Sequence, residues 1–153
     1  MKKTHRMSKP RDDARSRRGQ TLVEFALILP IFLLVLVGIF DMGRAVYAYN
    51  TISNASRQAV RLGIVDQNVT NLQAEAVKAS VALGAVPADV DISFLTSDLS
   101  GPCDVPAEIG CVVEIIVHYQ YNAATPIIGN LVGTIDMAST TREPIERSYV
   151  SSP

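Results

Sequence analysis

The chain begins polar and basic as far as Arg18 and then turns abruptly apolar. From Phe25 to Phe40 there is no charged or strongly polar side chain, and thirteen of those sixteen residues are Leu, Ile, Phe or Val. Such residues favour membrane insertion by about 4–8 kcal/mol in sum. Counted from Thr21 to Phe40 the run holds twenty residues, about 30 Å of helix, which matches the hydrocarbon thickness of a bilayer. A soluble core helix is rarely apolar on every side for this length, so the pattern predicts a membrane-spanning helix. Pro30 removes one backbone donor inside it and crowds the carbonyl of Ala26, which predicts a bend.

Beyond Phe40 the pattern becomes one-sided. Met42, Ala45, Val46, Tyr49, Ile52, Ala59 and Gly63 recur at helical spacing, while Arg44, Asn50, Asn54, Arg57 and Arg61 lie largely elsewhere. One helix is therefore expected to run on to about Leu62. Its stripe needs a partner, either the chain's own domain, the plainer choice, or another subunit. Thr70-Asn71-Leu72-Gln73 reads as a capping box with Thr70 as cap, followed by a helix from Asn71 to about Leu83 that Gly84 ends.

The period then changes to two. Val90, Ile92 and Phe94 alternate with Asp91 and Ser93. Val113, Ile115, Val117, Tyr119 and Tyr121 alternate with Glu114, Ile116, His118 and Gln120, the clearest strand in the chain. Ser100-Gly101-Pro102 marks a turn, and Thr125-Pro126 and Gly129-Asn130 punctuate a connection to a third strand over Thr134 to Thr141. The residues from Glu143-Pro144 to Pro153 read as a polar, loosely held tail. The expected class is α+β: an N-terminal transmembrane helix extended beyond the membrane and packed on a small antiparallel sheet.

Charge sharpens this picture. Met1 to Arg18 holds eight Lys or Arg against Asp12 and Asp13, a balance of +6; the whole chain is −1, so the remainder carries −7. A basic arm can signal nucleic acid, but its place against an apolar run makes topology the better reading, and no nucleic-acid partner is expected. The positive-inside rule keeps the N-terminus in the cytoplasm and sends the acidic body across. The far flank opens with Asp41 and a single nearby Arg44. If the body lies outside the cytoplasm, a disulfide between Cys103 and Cys111 is the natural reading; two reduced, unrelated thiols are the alternative.

Within the apolar context one acid stands out. Glu24 lies five residues past Gly19, just inside the span, where a carboxylate costs up to about 2.5–3.5 kcal/mol at the bilayer centre and less near an end. A plain account is that it snorkels to the headgroups. Elsewhere the residues offer little chemistry. His118 shares a strand face with Glu114, a pair that could serve as acid and base but is far more often a solvated surface. His5 lies in the leader. No glycine-rich phosphate loop, H-E-x-x-H or G-x-S-x-G occurs, and Asp89, Asp91, Asp98 and Asp104 do not have EF-hand spacing. No enzyme activity, cofactor, metal or small-molecule substrate is expected.

Gly19-Gln-Thr-Leu-Val-Glu-Phe-Ala-Leu-Ile-Leu-Pro30, then Gly38-Ile-Phe-Asp-Met-Gly-Arg44 and Ala55-Ser-Arg-Gln-Ala-Val-Arg61, resembles the TadE-like family, pseudopilin-like proteins of the tight-adherence (Flp-type) pilus machinery. The resemblance covers about Gly19 to Gly63. It implies a pilin-like architecture in the bacterial inner membrane and cleavage between Gly19 and Gln20 by a prepilin peptidase. It implies, too, that Glu24, with Phe25 and Pro30 beside it, acts in assembly with other pilus subunits or pilins. The new ammonium of Gln20 would meet the Glu24 carboxylate of a neighbour, offsetting the desolvation of both. The organisation that follows is a basic leader 1–19, a transmembrane helix 20–41, its continuation 42–63, an exported α+β domain 64–143 and a polar tail 144–153. A second reading is a single-span or secreted periplasmic binding module with an ordinary signal anchor, Val46-Tyr47-Ala48 serving as a signal-peptidase site.

Overall fold

The computed structural model describes residues 13–125, 129–130 and 133–150, with side chains from residue 19 onward. The leader's residues 1–12, Pro126 of the expected connection and the last three residues of the tail lie outside this range. Helix α1 spans Asp13–Gly63 and runs through Pro30. Helix α2 spans Val69–Ala79, followed by two single 3-10 turns, Val81–Leu83 and Pro87–Asp89. Strands β1 (Val90–Leu95), β2 (Val112–Asn122) and β3 (Thr134–Pro144) form one antiparallel sheet in the order β1-β2-β3.

The chain divides into two compact units, Met1–Phe40 and Asp41–Pro153. In the first, the described apolar side chains are exposed almost without exception: Phe25 is 61% exposed, Ile31 67% and Phe40 69%. The second unit has its own core. Ala48, Ile52, Ala55, Ala59 and Val60 of α1 are buried, as are Leu72 and Ala76 of α2. Opposite them the period-2 positions of the sheet turn inward: Val90 and Phe94 on β1, then Val113, Ile115, Val117 and Tyr121 on β2. Each fully buried Ile, Leu or Val contributes about 1.5–3 kcal/mol relative to exposure. The alanines keep the α1 face low. At Gly63, where α1 ends, a Cβ would stand 3.0 Å from Val113 Cγ2, so glycine there permits the helix to approach β2.

A polar seam is built into this packing. The Ser56 hydroxyl of α1 lies 2.8 Å from Thr141 Oγ1 and 3.3 Å from Ser139 Oγ on β3. Each hydroxyl finds its partner in the others, as buried polar groups require.

Three local expectations are corrected. The cap of α2 is Asn68, not Thr70: its side chain accepts from the amides of Thr70 (3.0 Å) and Asn71 (3.4 Å). Asp66 selects this start by accepting from the Asn68 amide at 3.0 Å. Gln73 reaches instead for the carbonyls of Pro87 and Val90. Second, α2 stops at Ala79: Ser80 leaves the helical region (φ −113°, ψ 15°), with both its amide and its hydroxyl (2.7 Å) on the Ala76 carbonyl. Gly84 ends the following 3-10 turn, at φ 73°. Third, the segment after β3 is held. Ile145 is 2% exposed and its amide donates to the Cys111 carbonyl. Gln67, itself buried, donates its side-chain amide to the Arg147 carbonyl (2.6 Å) and accepts from the Tyr149 amide (3.1 Å).

Candidate functional site

The residues singled out in the N-terminal segment all lie on α1. Gln20 and Glu24 are one turn apart and share a helix face. Glu24 is exposed and makes no hydrogen bond or ion pair with any described residue. Phe25 is exposed beside it, and Pro30 follows inside the unbroken helix. A Cβ placed on Gly19 would meet nothing within 4 Å, so the folded chain itself does not require glycine there. The stretch Gly19–Gly63 is, by length and composition, the one helix among the described residues able to cross a membrane, and none of its most apolar window is buried. An apolar surface of this extent needs lipid or protein around it.

Immediately after the apolar run stands a constellation that the sequence reading missed. Asp41 is 6% exposed. Its carboxylate accepts from the amides of Ala124 (3.0 Å) and Thr125 (3.2 Å) and from the Thr125 hydroxyl. Arg44 comes within 3.7 Å of the same group. The Tyr121 hydroxyl donates to the Asp41 backbone carbonyl at 2.7 Å, and the Arg44 guanidinium lies 5.9 Å from the Tyr121 ring centre. Burial raises the Tyr121 hydroxyl above the usual phenol range, and the nearby Asp41 carboxylate adds to this. Asp41 thus clamps the connection that leaves β2. From sequence it read only as an acidic flank, because its partners lie more than eighty residues away in a segment with no periodicity.

Cys103 and Cys111 are joined in a disulfide. The loop they close seats Ala107 in the core, fully buried. The His118–Glu114 pair does not form. His118 Nε2 lies 3.1 Å from Asp91 Oδ2 on β1, while Glu114 takes Ser93 and Arg142 as its partners. The antiparallel register explains the exchange: it lays β1 and β3 on either side of β2, and cross-strand neighbours outcompete residues four apart on one strand. Among the described residues no group of three His, Cys, Asp or Glu is placed to hold a metal ion.

Comparison with known proteins places the N-terminal segment. Residues 19–61 match the model of the family described as TadE-like protein. No curated protein and no solved structure matches the chain. The match opens at Gly19, takes in Glu24, Phe25, Pro30 and Asp41, and closes at Arg61 within the last turn of α1. Over residues 19–61 the chain is therefore similar to the TadE-like family, and the helix that carries the match is, among the described residues, the one long and apolar enough to cross a membrane.

Proposed function

We propose that this chain is a membrane-anchored minor pseudopilin or assembly protein of a tight-adherence (Flp-type) pilus. It sits in the bacterial inner membrane with its N-terminus in the cytoplasm and its α+β body exported. A prepilin peptidase removes the basic leader after Gly19, and Glu24 meets the freed Gln20 amine of a neighbouring pilus subunit. The observation that carries this reading is the family match beginning at Gly19, five residues before a lone carboxylate in an exposed apolar helix. Two features support it. The charge step between leader and body favours this orientation, and a disulfide suits a domain held in an oxidising compartment.

The secreted-module reading meets a physical objection. A cut after Ala48 falls inside α1 and between the buried Ala48 and Ile52. It would also remove Asp41 and Arg44 from Thr125 and Tyr121. N-terminal sequencing of the protein recovered from pilus-producing cells tests the proposal. The expected first residue is Gln20. Met1 in functional cells would indicate a plain anchor and overturn the processing step, and Tyr49 would indicate a secreted module.

A further inference from the structure

Strand β3 closes the sheet on one side, and among the described residues no strand pairs with its outer edge. Its ladder to β2 is unbroken from Thr134 to Pro144, and the Ile145 amide extends it to the Cys111 carbonyl. Antiparallel ladders alternate, so the residues in step with Ile145, from Ile135 to Glu143, turn their backbone groups to β2. Thr134, Asp136, Ala138, Thr140 and Arg142 turn theirs outward. Pro144, with no N–H to give, stands in this outward series. Among the described residues no other backbone group takes up these donors and acceptors. The edge lacks common guards against pairing: it has no lysine, no bulge and no proline before Pro144.

We propose that this edge pairs with β3 of a second copy of the chain, antiparallel and centred on Ser139. Outward-facing residues must meet outward-facing residues, which leaves registers that differ by steps of two. The register centred on Ser139 brings the whole of Thr134–Pro144 into the pair. It also sets Asp136 opposite the partner's Arg142, and by two-fold symmetry Arg142 opposite the partner's Asp136. Both residues are exposed on the same face of the strand. One step in either direction sets Asp136 against the partner's Thr140 or the partner's Pro144 and loses both charge pairs. The register of greatest overlap and the register of charge complementarity are thus the same one. Arg142 already serves Glu114, but a guanidinium carries five donors and can serve both acids.

The test uses full-length chains in membranes, one bearing Ala138→Cys and one bearing Thr140→Cys, with different tags. The native cysteines are bonded to each other and no described cysteine is free, so each variant adds one reactive thiol. In the proposed pair, positions 138 and 140 of the two chains face each other directly. Like positions stand on the diagonal, about 7–8 Å apart between Cα atoms. A one-carbon bis-thiosulfonate linker is expected to join the mixed chains well above either variant alone. Adding Asp136→Arg to both chains turns two attractive pairs repulsive and is expected to cut that yield by about tenfold. If a cysteine variant fails to insert, Asp136→Arg alone reads out as a dimer-to-monomer shift by native mass spectrometry in detergent. Inserted, folded chains that crosslink no better mixed than alone would overturn the proposal. Insensitivity to Asp136→Arg would do the same, as would capture of a different protein at position 140 without self-pairing.

Discussion

Gly63 and Gly43 are both helical glycines on α1, and they answer the same substitution in opposite ways. Replacing glycine by alanine inside a helix gains about 0.5–1 kcal/mol of backbone entropy and propensity. At Gly43 a Cβ meets nothing within 4 Å, so Gly43→Ala is expected to stabilise by about that amount. At Gly63 the new methyl would press on Val113 at 3.0 and 3.3 Å. Val113 is fully buried on the central strand and β-branched, so it has little room to yield. Gly63 also ends the helix, where the propensity gain is smallest. Overpacking costs about 1–3 kcal/mol and wins: Gly63→Ala is expected to destabilise by about 1–2 kcal/mol. Urea unfolding of the detergent-solubilised protein, followed by circular dichroism, measures both. A stabilised Gly63→Ala would mean that α1 does not approach β2 as closely as described.

At the scale of elements, what could be read from the sequence was what repeats. The alternation from Val113 to Tyr121 gave β2 to within a residue at each end, because a half-buried strand must alternate. The stripe through Ile52 and Ala59 gave the end of α1 for the same reason. What escaped was set by single polar side chains with remote or overlapping choices. Thr70 and Asn68 are both competent caps, and Thr70 has a glutamine at the right distance. The Asp66 carboxylate, holding the Asn68 amide and the Asn71 side chain (3.2 Å), favours Asn68. Asn68→Ala is therefore expected to cost about 1 kcal/mol, while Thr70→Ala stays within about 0.5 kcal/mol. Equal costs would return the cap to Thr70. The segment after β3 was unreadable for another reason. One isoleucine and, four residues on, a tyrosine and a valine among polar neighbours make no period, yet Ile145 fills a buried place and Gln67 holds the backbone beyond it.

For the whole molecule, the site and the body obey different requirements. Asp41–Pro153 has a core, a disulfide and, among the described residues, partners for its buried polar side chains, so its buried residues are explained by folding. Gly19 and Glu24 are not: a Cβ would fit at the first, and no described residue partners the second. That contrast is why the segment was legible in sequence, since a carboxylate in an apolar run stands out with no structure at all, whereas Asp41, satisfied by Thr125, does not. It also makes Glu24→Ala a clean separation of insertion from assembly. Removing the carboxylate relieves an insertion cost of up to about 2.5–3.5 kcal/mol and disturbs no described contact. The variant is thus expected to reach the membrane at least as well as the parent, with its Cys103–Cys111 disulfide formed, yet to yield few or no pili. Membrane fractionation, thiol labelling and a count of surface pili read these separately. A variant that inserts and still assembles normally would leave the carboxylate in the apolar run without a purpose and remove the proposed pairing of Glu24 with the Gln20 amine.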